Sequence, residues 1–240
     1  MIVDVLAVGA HPDDVELGVG GLILKWAQHG YAVGILDLTR GEMATRGTIE
    51  ERANEAAEAA RILGVVQREN ADLPDGAVAN THDQQLRVIP FIRAFRPKIV
   101  LATMTPDRHP DHAAAHDLVR DAAYFSGLAR IETGHEPYRP PTYYYYHPYT
   151  EHTIPPMIVD VSEEFESKLQ ALRAHASQFH NPDYGGKPTY ISSPGFWESI
   201  RTRAAYWGNR INAAYGETLY TGGPLCIGLP PGLESRRDAP

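Results

Sequence analysis

The chain has one cysteine, Cys226, in 240 residues. No disulfide can form within it, and a reducing compartment is expected. Long apolar runs are absent too: none approaches the roughly 18–20 residues of a membrane span. Positive charge is in deficit, with 22 Lys and Arg against 30 Asp and Glu and a formal net charge of −8. Nucleic acids and anionic membranes call for a basic stripe, so neither is an expected partner. No basic and apolar leader opens the sequence, which makes the cytoplasm the expected location. Internal repeats, low-complexity stretches and dividing linkers are missing as well. Residues 1–230 therefore read as a single domain, with 231–240 as a flexible tail.

What is present is 43% hydrophobic residues, enough for one full core. Ile2–Val8 reads as a buried parallel strand, short, rich in β-branched residues and ended by Gly9. Val15–Gln28 reads as a helix, Ala32–Leu38 as a strand, and Ile49–Leu63 as a helix opened by a capping box at Thr48 and Glu51. Val65–Leu73 is a weaker strand before the turn Pro74-Asp75-Gly76. A third helix carries Leu86, Ile89, Ile92 and Phe95; Lys98–Thr103 is a fourth strand, and a helix then runs towards Phe125. Four strand–helix repeats predict an α/β, Rossmann-like fold: a mostly parallel sheet, helices on both faces, strand order 3-2-1-4. The second half is less regular. Strands are expected at Thr142–His147, Met157–Val161 and Leu225–Leu229, a helix from Ser162 to about Gln178, and a last helix from Pro194 to Tyr215. Asn181–Pro188 reads as a lid or rim loop, and the Tyr143–Tyr146 run as strand packing.

Two polar clusters follow apolar strands. His11-Pro12-Asp13-Asp14 comes after strand 1, and His109-Pro110-Asp111-His112 after strand 4. In the predicted order these strands are neighbours at the switch point, beyond whose carboxyl ends ligands bind. Alone, each cluster is equally well a turn and a helix cap. Together they offer three imidazoles and three carboxylates to one crevice, a donor set suited to zinc or another borderline divalent ion. A hydrolytic site of this kind uses three ligands, an open position, a general base and an oxyanion stabiliser.

These motifs, with Glu16, Gly20-Gly21 and His116, resemble those of the LmbE-like (PIG-L) family of zinc-dependent N-acetylglucosaminyl deacetylases. The segments Gly41-Glu42 to Glu55, Ser177-Gln178-Phe179-His180 and Tyr206-Trp207-Gly208 look most like the bacillithiol-pathway branch, which acts on N-acetylglucosaminyl-malate. The resemblance implies an LmbE-like fold and His11, Asp14 and His112 as zinc ligands, with Fe2+ able to use the same donors. It implies Asp13 as general base, and His109 as oxyanion stabiliser, charged and oriented by Asp111. It carries sugar contacts to Arg52 and Arg139, leaves Tyr190 as an oxyanion donor or a packing tyrosine, and implies an amino-sugar substrate and a homo-oligomer. Arg46 is either a contact for a malate carboxylate or a surface salt bridge. His147, His152, His175 and His180 read as surface or interface residues. Two alternatives stay open: an amidase of thiol conjugates or other acylated glycosides, and a Rossmann-like metal- or nucleotide-binding protein without turnover. Against nucleotide binding, no G-x-G-x-x-G cradle follows strand 1, and Asp13 and Asp14 would repel a phosphate.

Overall fold

A computed structural model describes residues 2–149 and 153–223. The order of elements is β1 (Val5–Gly9), α1 (Asp14–Gln28), β2 (Val33–Thr39), α2 (Ile49–Ile62), β3 (Gln67–Leu73), α3 (His82–Phe95), β4 (Ile99–Thr103), α4 (Pro110–Phe125), β5 (Thr142–Tyr146), β6 (Met157–Asp160), α5 (Phe165–Ala174), α6 (Pro194–Asn209) and β7 (Gly216–Thr221). The seven strands form one mostly parallel sheet in the order β3-β2-β1-β4-β5-β7-β6. Its first four strands stand in the predicted 3-2-1-4 arrangement.

Every residue of β1 is buried because both faces of the sheet are covered. Alternate side chains go to opposite cores: Leu6 and Val8 pack with Val88, Ile92 and Leu118 from α3 and α4. Val5 and Ala7 pack with Val19, Leu22, Ala59 and Ala171 from α1, α2 and α5. β1 pairs in parallel with β4, Val5 opposite Ile99 and Ala7 opposite Leu101. The carboxyl ends of these strands, and the two histidine clusters that follow them, therefore lie side by side.

The second half departs from expectation in three places. The helix expected from Ser162 begins at Phe165 and ends at Ala174, because His175 and the residues after it turn to meet α1 and α2. The last helix stops at Asn209, and Gly216–Thr221 forms β7, read in sequence only as a helix stop. β7 is antiparallel to both neighbours and closes the sheet between β5 and β6. The strand expected at Leu225–Leu229 and the tail lie outside the described residues. Among those described, no helix is long and apolar enough to cross a membrane.

A buried ion pair joins α5 to β7. Glu217 accepts from Lys168 Nζ at 2.5 Å and from the backbone N–H groups of Gly21 and Leu22. Gly18 lies where α1 crosses β5: a Cβ there would sit 2.2 Å from the ring of Tyr146, which is fully buried and donates to Val8 O. Gly18→Ala is expected to destabilise the fold by roughly 1–3 kcal/mol through overpacking, read as a lower denaturant midpoint with an unchanged m-value.

Candidate active site

The site lies on the loops after β1 and β4, where a chain reversal at Pro12-Asp13 sends neighbouring carboxylates in different directions. Asp13 takes φ 147° and ψ −19°, a conformation L-residues rarely adopt. Strain of this kind persists where surrounding contacts over-determine it. Here the contacts come from Arg52 in the first turn of α2. Its guanidinium donates to Pro12 O at 3.0 Å, to Asp13 Oδ2 at 3.2 Å and to Gly41 O at 2.9 Å. Asp14, one residue on, turns to the histidines instead.

Asp14 is the hub. Its Oδ2 accepts the backbone N–H of His11 at 2.9 Å and stands 3.4 Å from His11 Nδ1. Its Oδ1 stands 3.1 Å from His112 Nε2, and neither atom makes an aligned hydrogen bond, although both are buried. Donor atoms around a tetrahedral divalent ion stand about 3.3 Å apart, given bonds of about 2.0–2.1 Å. Each of the two spacings is of that order, His11 facing one oxygen of Asp14 and His112 the other. The rings of His11, His109 and His112 also cluster, with centroids 4.7–5.3 Å apart. Among the described residues, two groups have ligand atoms within 4.8 Å of one another: His11, His109 and His112, and His11, Asp75 and Asp111.

Charge in the cluster is mutual. Burial opposes ionisation of Asp14, but the facing His112 and His11 hold it well below the usual carboxylate range. Burial likewise opposes charge on His112, but Asp14 and Asp107 raise it to about 9. The carboxylates thus hold protons on imidazoles, the place a divalent cation takes by displacing them. Asp13 behaves differently: burial raises its pKa, and Arg52 only partly offsets this.

Each imidazole of His11 and His112 has a carboxylate on its far nitrogen. His112 Nδ1 lies 3.2 Å from Asp107 Oδ1, and Thr103 Oγ1 donates to His112 O. His11 Nε2 lies 3.1 Å from Asp75 Oδ1 and 3.3 Å from Asp111 Oδ2. Such contacts fix ring orientation and tautomer. Neither Asp75 nor Asp107 stands out in the sequence. Asp75 reads there only as part of a turn, and Asp107 lies outside the four-residue motif.

The pairing of Asp111 with His109 needs correction. The Asp111 carboxylate accepts from Gly76 N and Val78 N and faces His11. What reaches His109 is the backbone N–H of Asp111, which donates to Nδ1 at 3.2 Å and makes His109 the cap of α4. Burial, with His112 and His11 close by, lowers the pKa of His109. These surroundings favour the neutral imidazole, and with the Asp111 amide on Nδ1 it is Nε2 that is left to face the site; the Asp111 carboxylate does not pair with the ring.

The arginines expected at the substrate fare differently. Arg52 is buried against Asp13 and two carbonyls, so it holds the loop and not an open sugar subsite. Arg139 precedes the amino end of β5, whereas the histidine loops follow the carboxyl ends of β1 and β4; it donates to Tyr124 O and lies over the Tyr124 ring. Arg46 is neither a free contact nor a surface ion pair: buried, it donates to the carbonyls of Ser177, Tyr184 and Lys187. It thereby anchors the segment read as a lid. Tyr190 is exposed, packs edge-on against Phe196, and lies beneath the guanidinium of Arg108.

Two of the histidines read as surface or interface residues are buried within the chain. His147 packs edge-on against Tyr220, with Nδ1 3.8 Å from Asp107 Oδ2. His175 Nε2 meets Glu16 Oε1 at 3.2 Å. Glu16 and Asp37 share Arg68, so a buried network of four ionisable groups lies beneath the Asp13 turn. His180 is half-buried, and His152 lies outside the described residues.

The chain is similar to several known proteins. The PIG-L family, described as GlcNAc-PI de-N-acetylase, matches residues 6–123. The diacetylchitobiose deacetylase of Thermococcus kodakarensis is 32% identical over 90% of this chain and 81% of its own. A Bacillus anthracis protein named "Probable N-acetyl-alpha-D-glucosaminyl L-malate deacetylase 2" is 32% identical over 73% of this chain and 81% of its own. A 4-oxalmesaconate hydratase of Pseudomonas putida is 26% identical over 75% of each chain. Among solved structures, the conserved protein TT1542 of Thermus thermophilus superposes with a TM-score of 0.87 at 36% identity, covering 97% of this chain and 100% of its own. The chain belongs to the PIG-L (LmbE-like) family of de-N-acetylases.

Proposed function

We propose that the protein hydrolyses the acetamide of an N-acetylglucosaminyl conjugate, N-acetylglucosaminyl-malate, to acetate and a free amine. The observation that carries this reading is the Asp14 carboxylate facing two imidazoles, with a second carboxylate of different environment, Asp13, on the next residue. His11, Asp14 and His112 would hold a divalent metal, zinc first and Fe2+ through the same donors. Asp14 is preferred to His109 as third ligand because it meets both other ligands, whereas Nδ1 of His109 is engaged as a helix cap. Bound there, the ion would acidify a water and polarise the acetyl carbonyl.

The remaining roles belong to the chain. Asp13 Oδ2 is fixed by Arg52, leaving the other oxygen to take the proton of the attacking water. Burial raises the proton affinity of Asp13 towards the range useful to a general base. The same carboxyl can then return that proton to the leaving amine. Neutral His109 offers Nε2–H to the acetyl oxygen as negative charge develops on it. Arg52 acts as a positioning residue for Asp13. Acyl hydrolysis with a separate base distinguishes this reading from a binding protein without turnover. The malate assignment draws on the Gly41–Glu55 and Ser177–His180 segments and on the similarity to the Bacillus anthracis protein.

Acetate release from N-acetylglucosaminides carrying malate, inositol or no aglycone tests the reading; one amine per acetate is expected, with malate preferred. Asp13→Asn should retain its metal and lose turnover by about 10²–10⁴-fold; unchanged turnover would reject Asp13 as the base. His112→Ala should bind no metal at equimolar concentration. Asp107→Asn should bind metal about 10–100-fold more weakly in a chelator competition, with an unchanged circular dichroism spectrum. Equal affinity would show that Asp107 does not support His112.

A further inference from the structure

Away from the metal cluster, where α5 ends and α6 begins, lies a cavity of about 350 Å³. Its walls include the side chains of Arg173, His175, His180 and Asn181 and the aromatic rings of Phe179 and Trp197. Among the described residues, no acidic side chain lines it, although the chain carries a formal net charge of −8. None of its walls is a candidate metal ligand or a group used in the reaction above. Its volume is that of a small-molecule pocket, with aromatic walls and a few convergent polar groups.

Three of those polar groups lack a protein partner. The exposed Arg173 guanidinium lies 5.3 Å from the centroid of the Trp197 ring and, among the described residues, makes no ion pair or hydrogen bond. The half-buried His180 ring has no hydrogen-bond partner there either. His175 is fully buried, and its Nδ1 has no partner, whereas its Nε2 faces Glu16 Oε1 at 3.2 Å. Buried polar atoms of folded chains are normally hydrogen-bonded. An orphan nitrogen on a residue that lines a cavity therefore points to an occupant. The cavity is also preformed. Arg46 holds the carbonyls of Ser177, Tyr184 and Lys187, so the segment that carries His180 and Asn181 is fixed at both ends.

The chemistry of the walls selects the ligand. Two nitrogen-bearing groups with no acid beside them suit a carboxylate, which a guanidinium binds well. Phe179 and Trp197 suit an apolar body. A hydroxyl both donates and accepts, so it satisfies Nδ1 whichever ring nitrogen of His175 carries the proton.

We propose that this cavity is a second ligand site, separate from the metal cluster, for a small aromatic hydroxy acid. The carboxylate meets Arg173 and His180, the ring lies beside Phe179 and Trp197, and the hydroxyl reaches His175. The site does not depend on the reaction at the metal cluster. It lies next to the buried network beneath the Asp13 turn, which it meets through His175 and Glu16.

Calorimetry with three probes tests this: 4-hydroxyphenylacetate, phenylacetate without the hydroxyl, and 4-hydroxyphenylacetamide without the charge. The first is expected to bind one equivalent with a Kd below about 1 mM, and each analogue at least about tenfold more weakly. Arg173→Gln should weaken the hydroxy acid about tenfold, and His175→Phe should abolish the advantage of the hydroxyl. A chelator should leave the affinity unchanged. No binding, equal binding of the three probes, wild-type affinity in Arg173→Gln, a hydroxyl advantage retained in His175→Phe, or loss of binding on chelation would each overturn the proposal, the last by placing the probe at the metal cluster. If His175→Phe does not fold, the three probes on wild type and Arg173→Gln decide.

Discussion

The parallel pairing of β1 with β4 is the constraint on which the site depends. It brings the end of Val5–Gly9 beside the end of Ile99–Thr103, so that His11 and Asp14 meet His112. Neither loop alone offers the three-sided donor set of a catalytic metal centre. The pairing is held by burial on both faces, with Leu6 and Val8 in one core and Val5 and Ala7 in the other. A one-residue slip of β1 would exchange these two sets of side chains. It would also displace the His11 loop along the strand axis relative to the His109 loop.

Around that junction the chain satisfies an unusual density of buried charge. Arg52 joins Asp13 to the carbonyls of Pro12 and Gly41; Arg68 joins Glu16 to Asp37; His175 closes on Glu16 from the far side. Burying so many ions is costly unless each has partners in good geometry. The benefit is positional. The Asp13 backbone conformation persists because the residues on both sides of it are clamped, and it leaves Asp13 and Asp14 with opposite shifts in proton affinity. Two adjacent carboxylates in different environments can take different chemical roles.

Much of the first half was legible in the sequence. The strand–helix alternation gave the sheet order, and the apolar runs before His11 and His109 showed that both clusters sit at strand ends. The second half was less legible for a physical reason. β7 is six residues carrying Glu217 and Thr218, and its burial comes from inserting between β5 and β6. Alternation alone does not reveal that. His175 and His147 read as surface or interface residues because a polar side chain in an irregular segment usually is one. Their burial follows from partners far away in the chain, Glu16 and Tyr220.

The sequence by itself determined which residue types could do chemistry and roughly where they stand: His11, Asp13 and Asp14 after one buried strand, His109, Asp111 and His112 after another. Local spacing encodes strand, helix and cap, because those depend on periodicity and neighbouring residues. Only the tertiary structure decided the partners. It gave Asp111 to His11 instead of His109, brought Asp75 across 64 residues to the same ring, and buried Arg46 and Arg52 as supports. It also placed Arg139 at the amino ends of the strands, away from the histidines, and left Arg108 between two tyrosines. Those outcomes depend on crossover and strand register, which set distances between residues remote in the chain and leave no periodic trace within any one segment.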